Sequence, residues 1–257
     1  MGEKNYFINI YRDLKLWITI FLIFILQIDM HAQSNFLEEQ LSFIRVKDAF
    51  ELKQKSLEDS FLEKDLAWPP KDILIRSFKA ELELELWVKK NEKYVLFKSY
   101  KVCKGSGNLG PKLKEGDKQV PEGFYFIDRF NPESNFLLSL GINYPNEADK
   151  NRSDAIDLGG DIFIHGACVT IGCLPMTDDI IKELYVLCVL AKSFGQKKIP
   201  VHIYPYKFNL LNNIIYQSSS QYANFWNNLM LHFIYFQEHK QLRFYEVDSF
   251  GNYIFKN

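Results

Sequence analysis

Little in this sequence points to a metal, a nucleic acid or a membrane. The chain of 257 residues carries only five histidines and four cysteines. Its 31 basic and 32 acidic residues leave a formal charge of −1, so no excess of one sign exists to draw nucleic acid or an acidic surface. The one conspicuous apolar run, Leu16 to Ile28, falls short of the about 20 residues that span a bilayer. No cysteine closes that run, which argues against lipidation there. Gly105 to Gly116 is rich in Gly and Lys but lacks the Gly-Lys-Ser/Thr ending and the following helix of a phosphate-cradling loop. Cys168 and Cys173 are too far apart in sequence for a Cys-x-x-Cys redox pair. Internal repeats and low-complexity tracts are absent too.

What is present suits an ordinary core. Hydrophobic residues make up 47% of the chain and aromatic residues 16%, enough for one substantial core and an appended subdomain. The aromatics read as strand and core filler. At the N-terminus, Lys4, Arg12 and Lys15 flank the apolar run, and Met30-His31-Ala32 ends in a small residue. Residues 1–32 therefore read as a secretory signal peptide, with a retained anchor as the alternative. Residues 33–68 form a helical segment, with one helix expected over Phe36 to Leu66 and a stop at Trp68-Pro69-Pro70.

Strict alternation from Ala80 to Val88 predicts a half-buried strand whose glutamates (Glu81, Glu83, Glu85) face solvent. Asn91-Glu92 turns it into a partner strand over Tyr94 to Cys103. Phe124 to Asp128, Phe136 to Leu140 and Ile199 to Tyr204 are further strands, and Gly141 to Gly160 reads as a long polar loop. Residues 69–206 thus form a mainly β domain with peripheral helices, an α+β arrangement. Residues 207–257 add a helix over Tyr222 to Phe236 and a terminal hairpin around Ser249-Phe250-Gly251.

The stretch from Ile162 to Met176 carries the chemistry. It reads as a buried strand ending in His165, then a glycine loop, then Cys173 ahead of a helix begun by Thr177-Asp178-Asp179. A thiolate needs a base or positive potential to form at neutral pH, and His165 is placed to supply it. Backbone N–H groups near Gly172 and Cys173 would hold an oxyanion, and Thr170 would hydrogen-bond within the loop and orient His165. The pattern predicts a cysteine nucleophile, Cys173, activated by His165. Two disulfides are not expected, because Cys173 must stay free and Cys188 falls on a helix's apolar face. Cys103 lies in a strand, and Cys168 either braces the loop or pairs with Cys173 under oxidation. A zinc site on His165, Cys168 and Cys173 and a non-catalytic wall-binding protein are the rivals; the spacing matches no zinc pattern, and no fourth ligand is evident.

These residues resemble the YkuD-type L,D-transpeptidases. His165-Gly166 followed by Thr170-Ile171-Gly172-Cys173 matches their His-Gly…Ser/Thr-x-Gly-Cys pattern. Gly116-Asp117-Lys118-Gln119-Val120-Pro121-Glu122-Gly123-Phe124-Tyr125 matches their Gly-Asp hairpin, and Tyr144-Pro145-Asn146 fits as well. The YafK-like (DpaA-like) branch agrees best, through Trp68-Pro69-Pro70, Leu84-Glu85-Leu86-Trp87 and Phe225-Trp226. Ile171 stands where many members have a second histidine, Pro175 where many have arginine, and Thr170 where serine is usual. The first two departures fit that branch, some members of which hydrolyse a peptide link.

The resemblance implies a sandwich- or barrel-like catalytic domain and an exported, periplasmic enzyme acting on peptidoglycan stem peptides. It implies acyl transfer through a thioester at the third stem residue, with hydrolysis of the same bond as the alternative. Cys173, His165, Gly172 and Thr170 would be the catalytic set, with Tyr144, Arg152 and Gly166 facing substrate and Arg152 pairing with a carboxylate. It implies no metal, no cofactor, no nucleic-acid partner and no stable membrane insertion after signal cleavage.

Overall fold

A computed structural model of the protein describes residues 17, 35–217 and 220–256. The expected signal segment lies outside the described residues, apart from Trp17. Among the described residues, no helix is long and apolar enough to cross a membrane.

The fold is mainly β with several helices. Helix α1 (residues 35–42) and α2 (Ile44–Glu63) come first. Phe43 is extended between them (φ −83°, ψ 125°), so the single helix expected over Phe36 to Leu66 is two. Strands β1 (Ile73–Phe78), β2 (Glu83–Lys90), β3 (Lys93–Lys101), β4 (Gly123–Asn131), β5 (Ser139–Ile142), β6 (Phe163–His165), β7 (Leu174–Pro175) and β8 (Pro200–Tyr204) form one sheet in the order β3-β2-β1-β8-β4-β5-β6-β7. The pairings β1–β8 and β6–β7 are parallel. β4 is the corner strand: residues 123–126 pair with β8 and residues 127–131 with β5, across an irregularity between Ile127 and Arg129. Such irregularities bend a strand and let it serve two halves of a sheet.

The two faces have different covers. Helix α4 (Asp178–Ser193) packs with α2 over one of them, burying Ile75, Leu84, Leu86, Val201, Ile203 and nearly the whole length of α4. Lys53 of α2 pairs with Asp179, and Tyr185 donates to Gln40 at 2.7 Å. The N-terminal helices are thus part of the domain's core. On the other face, α6 (Ala223–His239) and the hairpin β9 (Tyr245–Val247)–β10 (Tyr253–Phe255) cover Phe78, Phe124, Tyr204 and Tyr206. Between β8 and α6 lie a short helix α5 (Leu210–Asn212) and a π-helical turn, Asn213–Gln217. β1, covered from both sides, is buried at all six positions.

This second cover corrects the reading of the glutamate row. Glu85 is buried, accepting from Trp87 Nε1 at 2.9 Å and pairing with Lys207 at 3.0 Å. Glu83 pairs with Lys207 at 2.8 Å, and Glu81 accepts from Lys207 N and from Asn212. A further buried pair, Lys79 with Glu122 at 2.9 Å, is completed by Trp226 Nε1 donating to Glu122 at 2.8 Å. It fastens α6 to the start of β4.

Two more expectations change. The polar loop of residues 141–160 contains helix α3 (Glu147–Arg152), started by a capping box in which Asn146 and Asp149 bond each other's backbone N–H. The strand expected from Phe136 begins later, at Ser139, because Leu137 sits at φ +70° and turns the chain.

The α6 face holds a buried imidazole, His232, and a half-buried one, His202, which sets an expected pH dependence. Burial drives His202 well below its ordinary value and His232 down to about 4; both rings pack on Phe124. Each stays neutral when folded but protonates when unfolded below about pH 6.5, so stability falls with pH there. Asp149, raised to about 6 by burial, binds its proton in the folded state first and opposes this between about pH 6 and 4. Two histidines against one carboxylate give a net loss, each fully linked group contributing about 1.4 kcal/mol per pH unit. Urea midpoints at pH 7 and pH 5 check this; His232→Phe should reduce the difference, and an unchanged midpoint would refute the linkage.

Candidate active site

β6 and β7 run parallel, with Ile164 opposite Leu174 and His165 opposite Pro175. Ile164 and Leu174 point into the α4 core. By alternation, Phe163, His165 and Pro175 share the opposite face, and Cys173, one residue before β7, joins them beside Phe163. Phe163 N donates to Cys173 Sγ at 3.4 Å, and the thiol reaches Asp161 O at 3.6 Å. His165 and Cys173 therefore sit on adjoining strands, one step apart along the same face. Among the described residues no hydrogen bond joins Sγ to the ring. Catalytic hydrogen bonds are often long in the absence of substrate.

His165 is buried and held from two sides. Its Nδ1 lies 2.5 Å from Gly166 O, and its ring stacks on Phe136 at 4.5 Å between centroids. Burial lowers its pKa, opposed by the Gly166 bond, so the ring is a neutral base at neutral pH. Burial also pushes the Cys173 thiol up; the Phe163 N–H and the Lys112 charge pull it down, and Asp161 adds to the rise. Burial thus favours the neutral form of both groups, the thiol of Cys173 and the uncharged imidazole of His165.

The glycine loop is fixed by backbone and side-chain contacts. Gly166 has no room for a side chain, because a Cβ there would meet Phe136 O at 2.6 Å and Asp178 Oδ1 at 2.9 Å. Ala167 takes φ +58° and donates its N–H to Asp178 Oδ1 at 2.9 Å, tying the loop to the first turn of α4. Thr177 caps that helix through Ile180 N, as its sequence position predicts. Gly172 adopts φ +144°, and a Cβ there would stand 3.3 Å from Gln119 O.

Thr170 closes the loop. Its Oγ1 accepts from Cys173 N at 2.8 Å and Gly172 N at 3.2 Å and donates to Cys173 O at 2.8 Å. The two N–H groups expected to face an oxyanion are thus directed at the threonine hydroxyl, and what orients His165 is Gly166 and Phe136. Thr170→Val should leave two donors unsatisfied, lowering stability by about 1–3 kcal/mol and activity with it, while Thr170→Ser keeps both. Thermal melts and turnover of the two variants check this; equal behaviour would remove the hydroxyl's role.

The cysteine reading needs correction. Cys103 and Cys168 form a disulfide, leaving Cys173 and Cys188 free. The sequence placed Cys103 in a strand, but β3 ends at Lys101 and the cysteine follows in the adjoining loop, its N–H donating to Pro175 O at 2.9 Å. The bridge crosses 65 residues of sequence; its partners meet because the two edges of the sheet, β3 and β7, come together, as the Cys103 N–H bond to Pro175 O shows. It takes the Cys168 sulfur out of the rival zinc set. Cys188 is fully buried in α4.

Tyr144 and Arg152 are engaged with the framework. The Tyr144 hydroxyl donates to Leu158 O at 3.1 Å and reaches Lys112 O at 3.4 Å. Arg152 donates to Gly251 O, lies 3.7 Å over the Phe225 ring and is 3.8 Å from Asp149. The sequence passed over Phe136, Asp161 and Lys112 at this site. Asp117 of the Gly-Asp motif was the available signal, since its carboxylate organises the loop holding Lys112.

Known proteins match this region. The family model YkuD, the L,D-transpeptidase catalytic domain, matches residues 79–203, which contain His165, Cys173, strands β2 to β7 and all of β8 but its last residue. YafK of Escherichia coli (strain K12) is 38% identical over 168 residues, 65% of this chain and 67% of YafK, and the protein of that name in strain O157:H7 matches equally. Among solved structures, the helical cell shape determining protein Pgp2 from Campylobacter jejuni aligns with a TM-score of 0.43 at 22% identity, covering 55% of this chain and 50% of that one. Bd1075 of Bdellovibrio bacteriovorus aligns at 0.40 and 21%, covering 64% and 56%. The match to YafK, with the family model running through the strands that carry the histidine and the cysteine, establishes that this chain belongs to the YkuD family of L,D-transpeptidase catalytic domains.

Proposed function

We propose that the protein is an exported peptidoglycan-remodelling enzyme that transfers an acyl group through a Cys173 thioester. The observation that carries this is the sharing of one sheet face by His165 and Cys173 on adjoining strands, with the thiol partly accessible and the imidazole neutral. In the reaction, Cys173 Sγ attacks the carbonyl of the third residue of a stem peptide and its proton passes to His165. Collapse of the tetrahedral intermediate expels the amine of the following residue, which takes that proton. An acceptor amine then attacks the thioester and restores the thiol.

The N–H groups of Gly172 and Cys173 stabilise the oxyanion by exchanging the Thr170 hydroxyl for it; one such donor lowers the barrier by about 3 kcal/mol. Tyr144, Arg152 and Gly166 serve substrate binding indirectly, by holding the loops that surround the cysteine. With water as the acceptor, the same steps hydrolyse the bond. Ile171, exposed where many family members carry a second histidine, leaves the acceptor side without that extra base.

Muropeptides incubated with the purified protein and analysed by mass spectrometry test the proposal. Crosslinked dimers mark transfer; shortened stems or released stem-linked peptides mark hydrolysis. An unchanged muropeptide profile, or the same products from Cys173→Ala protein, would overturn it.

A further inference from the structure

A cavity of about 640 Å³ lies between the sheet and its C-terminal cover, within the size range of small-molecule sites. No residue of the proposed catalytic set lines it. One wall is the sheet, through Phe124 of β4 and His202 of β8; the other is α6 and the hairpin, through His232, Tyr245 and Phe255. That second wall lies beyond residue 203, outside the part of the chain that the family model matches. His202 and His232 both pack on Phe124, with centroids 4.3 and 4.9 Å from its ring, and burial keeps both imidazoles neutral. A neutral imidazole has one donor and one acceptor nitrogen. The Tyr204 hydroxyl donates to His202 Nδ1 at 3.4 Å, so Nε2 of that ring carries the hydrogen. His232 Nε2 donates to Tyr253 O at 3.3 Å, so its Nδ1 is the acceptor. Among the described residues, His202 Nε2, His232 Nδ1 and the Tyr245 hydroxyl have no protein hydrogen-bond partner.

These groups select the chemistry of an occupant. The mouth carries Lys198 and Arg243 but also Glu147, so it favours no ion of one sign. A purely apolar occupant would strand two imidazole nitrogens and a hydroxyl, and a polar group cut off from water without a partner is costly. A neutral ligand with apolar faces and polar edges satisfies both conditions. A pyranose has C–H bonds on its faces, which suit aromatic rings, and hydroxyls around its edge. An N-acetyl substituent adds an amide, whose C=O matches a donor such as His202 Nε2 and whose N–H matches an acceptor such as His232 Nδ1. We propose that this cavity binds an N-acetylated sugar of a glycan strand, while the Cys173 site takes the stem peptide that the strand carries. This rests on the peptidoglycan reading above. The C-terminal cover then gives the domain a hold on glycan as well as on peptide.

Titration calorimetry of the full chain with chitotetraose, an N-acetylglucosamine oligomer that carries no peptide, tests this. Wild-type protein should bind it, and should bind cellotetraose, which lacks the acetamido groups, about tenfold more weakly. His232→Phe and Tyr245→Phe each keep an aromatic ring and remove polar atoms from the cavity, so each should weaken chitotetraose binding about tenfold. Tyr245→Phe, which deletes one hydroxyl from the hairpin, is the variant that decides if His232→Phe does not fold. No binding of chitotetraose at roughly 10 mM, equal affinity for the two oligomers, or unchanged affinity in folded Tyr245→Phe would overturn the inference. Binding of dodecanoate without any response to chitotetraose would assign the cavity to an acyl chain and overturn it as well. The proposed function fails separately, since it is judged by muropeptide products with Cys173→Ala as control. Protein that turns over muropeptides without binding chitotetraose fails the glycan inference alone, and protein that binds chitotetraose but leaves muropeptides unchanged fails the proposed function alone.

Discussion

Cys173→Ala protein is expected to fold like the wild type and to lose turnover of muropeptides by about 10⁴-fold or more, as removal of an activated nucleophile does elsewhere. The Cys173 side chain does little for the fold. Its sulfur accepts one long hydrogen bond from Phe163 N and makes one long contact with Asp161 O, so alanine leaves the loop's stronger bonds to Thr170 in place. A melting temperature within a few degrees of wild type, together with lost labelling by iodoacetamide, would separate a chemical loss from a structural one.

His165→Ala should cost as much activity, but with a structural penalty, because the ring is 2% exposed and stacked on Phe136. His165→Gln fills more of that space and is the better control. The pH profile distinguishes the base further: burial lowers the imidazole's pKa, so activity should persist below pH 6.5 until the ring is protonated. Full turnover by Cys173→Ala would remove the thioester mechanism.

Removing the Cys103–Cys168 bridge should have the second large effect. Closing a loop of 65 residues restricts the unfolded chain by about 4 kcal/mol in the chain-entropy account. In a domain of this size that corresponds to a fall of about 10 °C in melting temperature. The functional consequence follows from where the bridge is attached. Cys168 lies between Gly166 and Thr170, so the disulfide ties the catalytic loop to the segment after β3. Without it, the loop retains the Asp178 contact at one end and the Thr170 contacts at the other. Turnover should fall by about 10–100-fold, the scale at which a displacement near 1 Å acts.

Melts and muropeptide assays with and without reductant check this. Wild-type protein should lose stability on reduction, and the Cys103→Ser/Cys168→Ser protein should show the lower value in both conditions. A thiol titration of unreduced, unfolded protein that finds four free thiols instead of two would show the bridge absent.

The sequence determined the local features of this protein. Alternation marked β2, the Asn91-Glu92 turn set the hairpin to β3, and Thr177 with two aspartates started α4 where it begins. The His165-to-Cys173 stretch was legible because its two key residues are near neighbours in the chain and the geometry joining them is a single strand and loop. Tertiary structure decided everything that depends on partners remote in sequence. Glu85 looked solvent-facing because alternation reports that a strand has two faces, not that α6 and Lys207 cover the second. Cys103 finds Cys168 only because the two edge strands of the sheet, β3 and β7, meet in the folded protein. Lys112 was signalled only through Asp117 of the Gly-Asp motif, since the burial of its ammonium against that carboxylate exists only in the folded loop. Periodicity and capping act over a few residues, whereas charge, burial and crosslinks are properties of the folded neighbourhood.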